Sequence, residues 1–204
     1  YKRQIEDGAV TTDAATHTGD MVYLCNGLGA GQVGGWYEGE QSPLKLRPVR
    51  GDMLRLRVPE GMEAPVGRVI RAFVEDRPVY IIPRTDGTIA VGATSREDAR
   101  RGPAVDGVYT LLRDAIRIVP GIQECEFIEA ITGERPGTPD DLPYLGKVGE
   151  KLVVSTGYFR HGILLSALGA TVGAALGMGK SVPALEAEMA PEIDLASCAP
   201  LRHA

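Results

Sequence analysis

The clearest pattern in the chain is an alternation. Between Leu44 and Val58, Leu54, Leu56 and Val58 fall on one side of an extended backbone and Arg55 and Arg57 on the other. That is the signature of a half-exposed strand, with the arginines as its solvated face. Val69 to Val74 and Pro78 to Pro83 read as two more strands. Thr85-Asp86-Gly87-Thr88 is a hairpin turn into Ile89-Ala90-Val91-Gly92-Ala93-Thr94. Residues 44 to 94 therefore predict an antiparallel sheet of about four strands. The period then changes. Val108, Leu111, Leu112, Ala115, Ile116 and Val119 recur at helical spacing, which makes a single apolar face. Pro120-Gly121 stops the helix, and its apolar face is expected to cover one side of the sheet.

The flanks are less regular. Residues 1 to 20 are polar, with Glu6-Asp7-Gly8 as a hairpin turn between two short strands. Asp20 to Cys25 is a buried-type strand that runs into a glycine-rich stretch, Asn26 to Gly35. Gly27, Gly29 and Gly31 miss the G-x-G-x-x-G spacing of a dinucleotide fingerprint, so the stretch reads as a strand-to-loop turn. Glu124 to Ala130 is a short strand candidate. Ile131 to Gly146 holds many glycines and prolines and reads as an ordered loop, a place where function often resides. Lys151 to Val154 is a strand, Ser166 to Gly179 a small-residue helix, and Pro183 to Ala190 a short helix. The remaining residues read as a loosely held tail.

Charge and composition narrow the classes. A net charge of −5 and a pI near 5.3 argue against nonspecific binding to nucleic acid or anionic membranes. The richest apolar run, Gly162 to Gly179, is broken by glycines and reads as a close-packed helix rather than a membrane span. Cys25, Cys125 and Cys198 are far apart and odd in number. With His17, His161 and His203 they show no zinc-type spacing, so no metal is expected and a reducing, cytoplasmic location is. The chain starts at Tyr1 in what looks like the middle of a protein.

The stretch richest in chemistry is Ser155-Thr156-Gly157-Tyr158-Phe159-Arg160-His161-Gly162-Ile163-Leu164-Leu165. It reads as strand, tight glycine-bounded turn and helix start. Such a turn aims N–H groups at a place that favours negative charge. Arg160 and His161 stand between its glycines, where a purely structural turn has little use for them. The turn is expected to meet an anionic or electron-accepting ligand.

Several motifs carry a resemblance. They are Arg47-Pro48-Val49-Arg50-Gly51, Val79-Tyr80-Ile81-Ile82-Pro83-Arg84, Val91-Gly92-Ala93-Thr94, Gly133-Glu134-Arg135-Pro136-Gly137-Thr138, Pro143-Tyr144-Leu145-Gly146 and Gly157 to Leu165. In that order they resemble the C-terminal part of the glycine oxidase branch of the D-amino-acid oxidase family of flavoenzymes, over roughly residues 20 to 180. The resemblance implies an α+β fold. Residues 1–43 would be a remnant of an FAD-binding domain and 44–134 an antiparallel or mixed-sheet substrate-binding domain. Residues 135–182 would be the C-terminal strand–helix part of the FAD-binding domain, and 183–204 a loosely ordered tail. The family's N-terminal βαβ unit, which holds the ADP half of FAD, has no counterpart in this sequence.

The resemblance also implies an activity. FAD would accept hydride from glycine or another small amino acid or amine, giving an imino acid and, with molecular oxygen, hydrogen peroxide, in the thiamine thiazole pathway. A D-amino-acid or sarcosine-type oxidase is the near alternative, and a non-catalytic fragment the distant one. Arg135 would clamp the substrate carboxylate, since a guanidinium fork matches a carboxylate; the plainer reading pairs it with Asp140 or Asp141. Tyr80 would add a hydroxyl bond, and Arg160 further charge. Tyr158, Phe159, Arg160, His161, Gly162, Ile163 and Leu164 would face the flavin. His161 reads as a supporting or surface group, because no protein proton carrier is required. Arg50 and Met53 read as strand packing. The Gly157–Gly179 segment is expected to expose apolar surface for a homo-oligomer or for an N-terminal FAD-binding portion.

Overall fold

The computed structural model describes residues 4–6, 8–12, 15–35, 41–190 and 192–204. The chain divides into two units, residues 1–48 with 135–204, and residues 49–134. The first unit opens with an antiparallel meander of β1 (Gln4–Glu6), β2 (Ala9–Thr11) and β3 (Thr16–Thr18). The first two strands answer the turn signal at Gly8; Asp7 of that signal lies outside the described residues. β4 (Val22–Leu24) buries Val22 and Leu24 and leaves Tyr23 half exposed. The glycine-rich stretch after it coils into a 3-10 helix from Gly27 to Gln32.

The second unit is built on β5 (Arg47–Arg57), β6 (Ile70–Val74), β7 (Arg77–Pro83) and β8 (Thr88–Gly92), then α1 (Val105–Ile118) and β9 (Glu126–Gly137). The sheet order is β6-β7-β8-β5-β9. The alternation in β5 has the expected sides, with Leu54 and Leu56 buried and Arg55 and Arg57 exposed. Leu54, Leu56, Ile81, Ile89 and Val91 meet Leu111 and Ala115 of α1 in one core, so the helix does cover a sheet face.

A buried carboxylate does the work of a helix cap there. The residue preceding α1, Ala104, offers no side-chain cap, and its N–H donates to Asp52 Oδ2 at 3.3 Å. Asp52 also accepts from Arg96 at 3.1 and 3.3 Å and from Thr132 Oγ1 at 2.7 Å. Burial pushes the Asp52 carboxyl up, but these donors outweigh it and hold the group below its ordinary range.

β9 corrects the sequence reading. The stretch expected to be a loop from Ile131 onward is strand as far as Gly137, and only residues 138–143 are irregular before β10 (Tyr144–Val148). β9 is the edge of its sheet. A proline at position 136 is tolerated at an edge, where its missing N–H costs no ladder bond.

In the first unit, β10, β11 (Leu152–Thr156) and β4 form a second sheet, with β11 parallel to β4. Alternate residues of β11 serve two cores. Leu152 and Val154 join Val22, Leu24, Leu44 and Tyr144, whereas Val153 joins Val172 and Leu176 of α2 (Ser166–Gly177) and Leu185 of α3 (Val182–Glu188).

The tail is not loosely held. Ser181 Oγ caps α3 by accepting from the Ala184 N–H, and Glu186 Oε1 accepts from the amides of Leu195 and Ala196 at 2.8 and 3.2 Å. Leu195 is buried, and Pro200 packs against Gly146 so closely that a Cβ there would lie 2.5 Å from the proline ring. These anchors are isolated contacts at irregular spacing, which leave no periodicity to read. No helix among the described residues is long and apolar enough to cross a membrane.

Candidate functional site

β11 delivers the chain to Gly157 at φ +76°, a left-handed conformation that glycine adopts without strain. A Cβ at this position would lie 2.6 Å from Thr138 Cγ2 and 3.5 Å from the Tyr144 nitrogen. Phe159 is also left-handed, at φ +49°, which is strained for a side-chain-bearing residue. Its N–H donates to the Pro136 carbonyl at 3.1 Å. That bond joins the residue after Arg135 to the residue before Arg160, and so brings two of the expected anion-binding residues to one backbone junction.

The turn then closes on itself through His161 N–H to Tyr158 C=O and Leu165 N–H to His161 C=O, both 2.8 Å. α2 starts at Ser166, where the small-residue run begins, so Gly162, Ile163 and Leu164 precede the helix and do not form its start. Two left-handed residues direct the chain back onto Pro136 before helical geometry sets in. The amides of Gly162, Ile163 and Leu164 are exposed and have no hydrogen-bond partner among the described residues. They form a donor set ahead of the helix rather than its first turn.

The side chains divide by direction. Arg160 is exposed, its guanidinium 5.2 Å from the Phe159 ring centroid, a cation–π contact. His161 is exposed. Tyr158 points back into the unit: its hydroxyl is 2.8 Å from Ser155 Oγ and its ring end lies on Gly169 of α2. Burial raises the Tyr158 phenol above its ordinary pKa, with the Ser155 bond partly opposing. Tyr158 therefore braces the turn, and only its backbone is placed to serve a ligand. Arg135 is half-buried. Asp140 accepts from Arg202, and Asp141 from Arg47 at 2.7 Å. Tyr80 belongs to the second unit, where it stands on β7 opposite Gly92 of β8 with its ring end over the glycine.

Thr138 escaped the sequence reading. It is fully buried, and its Oγ1 reaches Asp140 Oδ1 at 3.0 Å and donates to the Leu142 carbonyl at 2.7 Å. The sequence signal for it is its place as the last residue of the Gly133-Glu134-Arg135-Pro136-Gly137-Thr138 motif, which gave it no role. Among the described residues no group of three or more His, Cys, Asp or Glu is placed to hold a metal ion.

Next to α2 the surface is apolar. Ile163, Leu164 and Met178 are 94%, 79% and 78% exposed, and Ala167, Ala170 and Ala174 lie exposed at helical spacing between them. A helix apolar on every side is ordinarily buried. Unpaired amides beside an arginine suit a group with an electron-rich carbonyl edge, and a flavin has such an edge.

The chain is similar to known proteins over most of its length. The bifunctional protein ThiO/ThiG of Trichormus variabilis is 37% identical over 181 residues, 83% of this chain and 27% of that protein. Glycine oxidase of Geobacillus kaustophilus is 32% identical over 160 residues, 77% of this chain and 40% of that protein. The crystal structure of glycine oxidase from Geobacillus kaustophilus superposes with a TM-score of 0.73 at 30% identity, over 96% of this chain and 49% of that chain. The chain thus spans half or less of the length of these relatives. The match to the FAD dependent oxidoreductase family runs from residue 2 to residue 176, and the chain belongs to that family.

Proposed function

We propose that this chain supplies the carboxylate clamp and the flavin-facing amides of an amino acid oxidase that acts on glycine or a similarly small amine in thiamine thiazole supply. The observation that carries the reading is the Phe159–Pro136 bond, which sets Arg135 and Arg160 at one junction beside three unpaired amides.

Oxidising an amino acid requires its carboxylate neutralised, its Cα–H held still and a hydride acceptor nearby. FAD, when bound, supplies that acceptor. Arg135 binds the carboxylate through its planar fork, and Arg160 adds positive charge. The N–H groups of Gly162, Ile163 and Leu164 would donate to carbonyl oxygens of the flavin, and fixed donors need no reorganisation as negative charge grows there. Tyr80 is assigned a hydroxyl bond to the substrate on the resemblance to the family. The imino product hydrolyses to an oxo acid and ammonia, and molecular oxygen leaves as hydrogen peroxide. The exposed face of α2 receives further protein, either a second copy or a further part of the flavin-binding fold.

The test uses the full-length gene product. It should purify yellow and release peroxide with glycine. Arg135→Ala should raise the glycine KM about 10–150-fold, the worth of a hydrogen bond to a charged group. Colourless protein that takes up no FAD, or an unchanged KM, refutes the reading.

A further inference from the structure

The C-terminal segment carries one further arginine, Arg202, which is not among those assigned to ligand. Arg202 Nε and Nη2 donate to the two oxygens of Asp140 at 2.9 and 2.8 Å. Nη2 also donates to the Leu142 carbonyl at 2.7 Å, and Nη1 to the carbonyls of Pro143 and Ala199 at 3.2 and 3.1 Å. The guanidinium sits 4.4 Å from the ring centroid of Tyr144. The Tyr144 hydroxyl is 3.0 Å from His203 Nδ1, and His203 Nε2 is 3.5 Å from Asp140 Oδ2. Arg202 is only 14% exposed, and Tyr144 is fully buried.

Everything that Arg202 grips lies in residues 138–144 or in its own segment. That stretch joins β9 to β10 and abuts Gly157 through Thr138. Thr138 bonds Asp140 and Leu142, the same two residues that Arg202 holds, and its methyl group lies against Gly157. Two residues before Thr138, Pro136 accepts the Phe159 N–H. A continuous set of contacts therefore runs from Arg202 through Asp140 and Thr138 to the Gly157–Leu165 turn. A bidentate, stacked guanidinium fixes the loop in distance and in angle, which a lysine cannot do.

We propose that Arg202 is a positioning residue for the anion site: it holds the 138–143 loop against Gly157 and so sets the backbone junction at which Arg135 and Arg160 meet. The ligand-binding part of this inference rests on the oxidase reading above; the mechanical part stands without it.

Two readouts in the full-length gene product separate these parts. Hydrogen exchange followed by mass spectrometry reports the 157–165 segment, and steady-state kinetics reports glycine turnover. Arg202→Ala should speed exchange of that segment at least tenfold while β7 and β8 keep their protection. It should raise the glycine KM more than it lowers kcat. Arg202→Lys, the milder change, should restore neither fully. Exchange in 157–165 that is unchanged, or that rises equally in β7 and β8, overturns the positioning role. If the unaltered protein does not oxidise glycine, the oxidase reading falls, and the exchange measurement still decides whether Arg202 holds the turn.

Discussion

Gly157→Ala tests the site's architecture most directly. The alanine must adopt φ +76°, which costs about 1–2 kcal/mol for an L-residue. Its Cβ would sit 2.6 Å from Thr138 Cγ2, whereas carbon atoms pack at about 3.5–4.0 Å. Thr138 cannot simply retreat. It is fully buried and bound on both sides, to Asp140 and to the Leu142 carbonyl. Overpacking of this kind costs about 1–3 kcal/mol, so the total should be about 2–5 kcal/mol. A second substitution separates the two contributions. Thr138→Ser removes the obstructing methyl group and keeps the hydroxyl. In that background Gly157→Ala should retain the backbone cost and lose the steric one, a coupling of about 1–3 kcal/mol. Urea unfolding of the four proteins, followed by circular dichroism, gives the cycle. Equal costs of Gly157→Ala in both backgrounds would show that Thr138 does not brace the turn, and would remove the last link of the contacts that run from Arg202.

Other substitutions test other contacts. Gly92→Ala places a Cβ 2.8 Å from Tyr80 Cε2 and nearer still to the hydroxyl end; the ring should swing away and the glycine KM of the full-length protein rise, but not when Tyr80 is already alanine. Asp52→Ala leaves Arg96, 10% exposed, without its buried partner, and should cost about 3–5 kcal/mol; a thermal melt that puts the loss under about 1 kcal/mol sinks the capping role. Acid stability has a set direction. Bonds from Arg77 and Arg117 hold Glu75 down to about 2, and Arg202 holds Asp140 well below the usual carboxylate range. Folded pKa values below the unfolded ones, roughly 4, stabilise the fold above that pH, and the stabilisation fades as pH falls toward 2. Arg202→Ala should make the acid limb shallower between about pH 4 and 2, and superimposable acid titrations of the two proteins would exclude the Asp140 contribution.

How much of this was legible follows from what each contact leaves in the chain. β5 and α1 were readable because burial on one face imposes a period, and Leu54, Leu56, Leu111 and Ala115 keep it. The Gly157–Leu165 turn was readable as a turn because Gly157 and Gly162 bracket Arg160 and His161. β9 was hidden because Gly133 and Pro136 look like loop residues, and only its edge position makes them acceptable. The tail was hidden because Arg202 spends three of its five donor contacts on backbone carbonyls, which any residue type offers.

The close-approach glycines differ from one another in an instructive way. Gly92 lies opposite Tyr80 because the hairpin turn at Thr85 to Thr88 fixes Pro83 against Ile89, and each step back along β7 advances one along β8. That pairing can be counted from the turn alone, so the requirement for a glycine across from the tyrosine is a local one. Gly157 meets Thr138 across a chain separation that no single turn spans, through β10, the 138–143 loop and a buried hydroxyl. A pattern in the sequence can register the first contact, whereas the second exists only once two strands and the C-terminal arginine have closed around it. The least legible contacts of the site are therefore those on which its rigidity rests, and the Gly157–Thr138 cycle and the Arg202 exchange experiment address those contacts and not the motif.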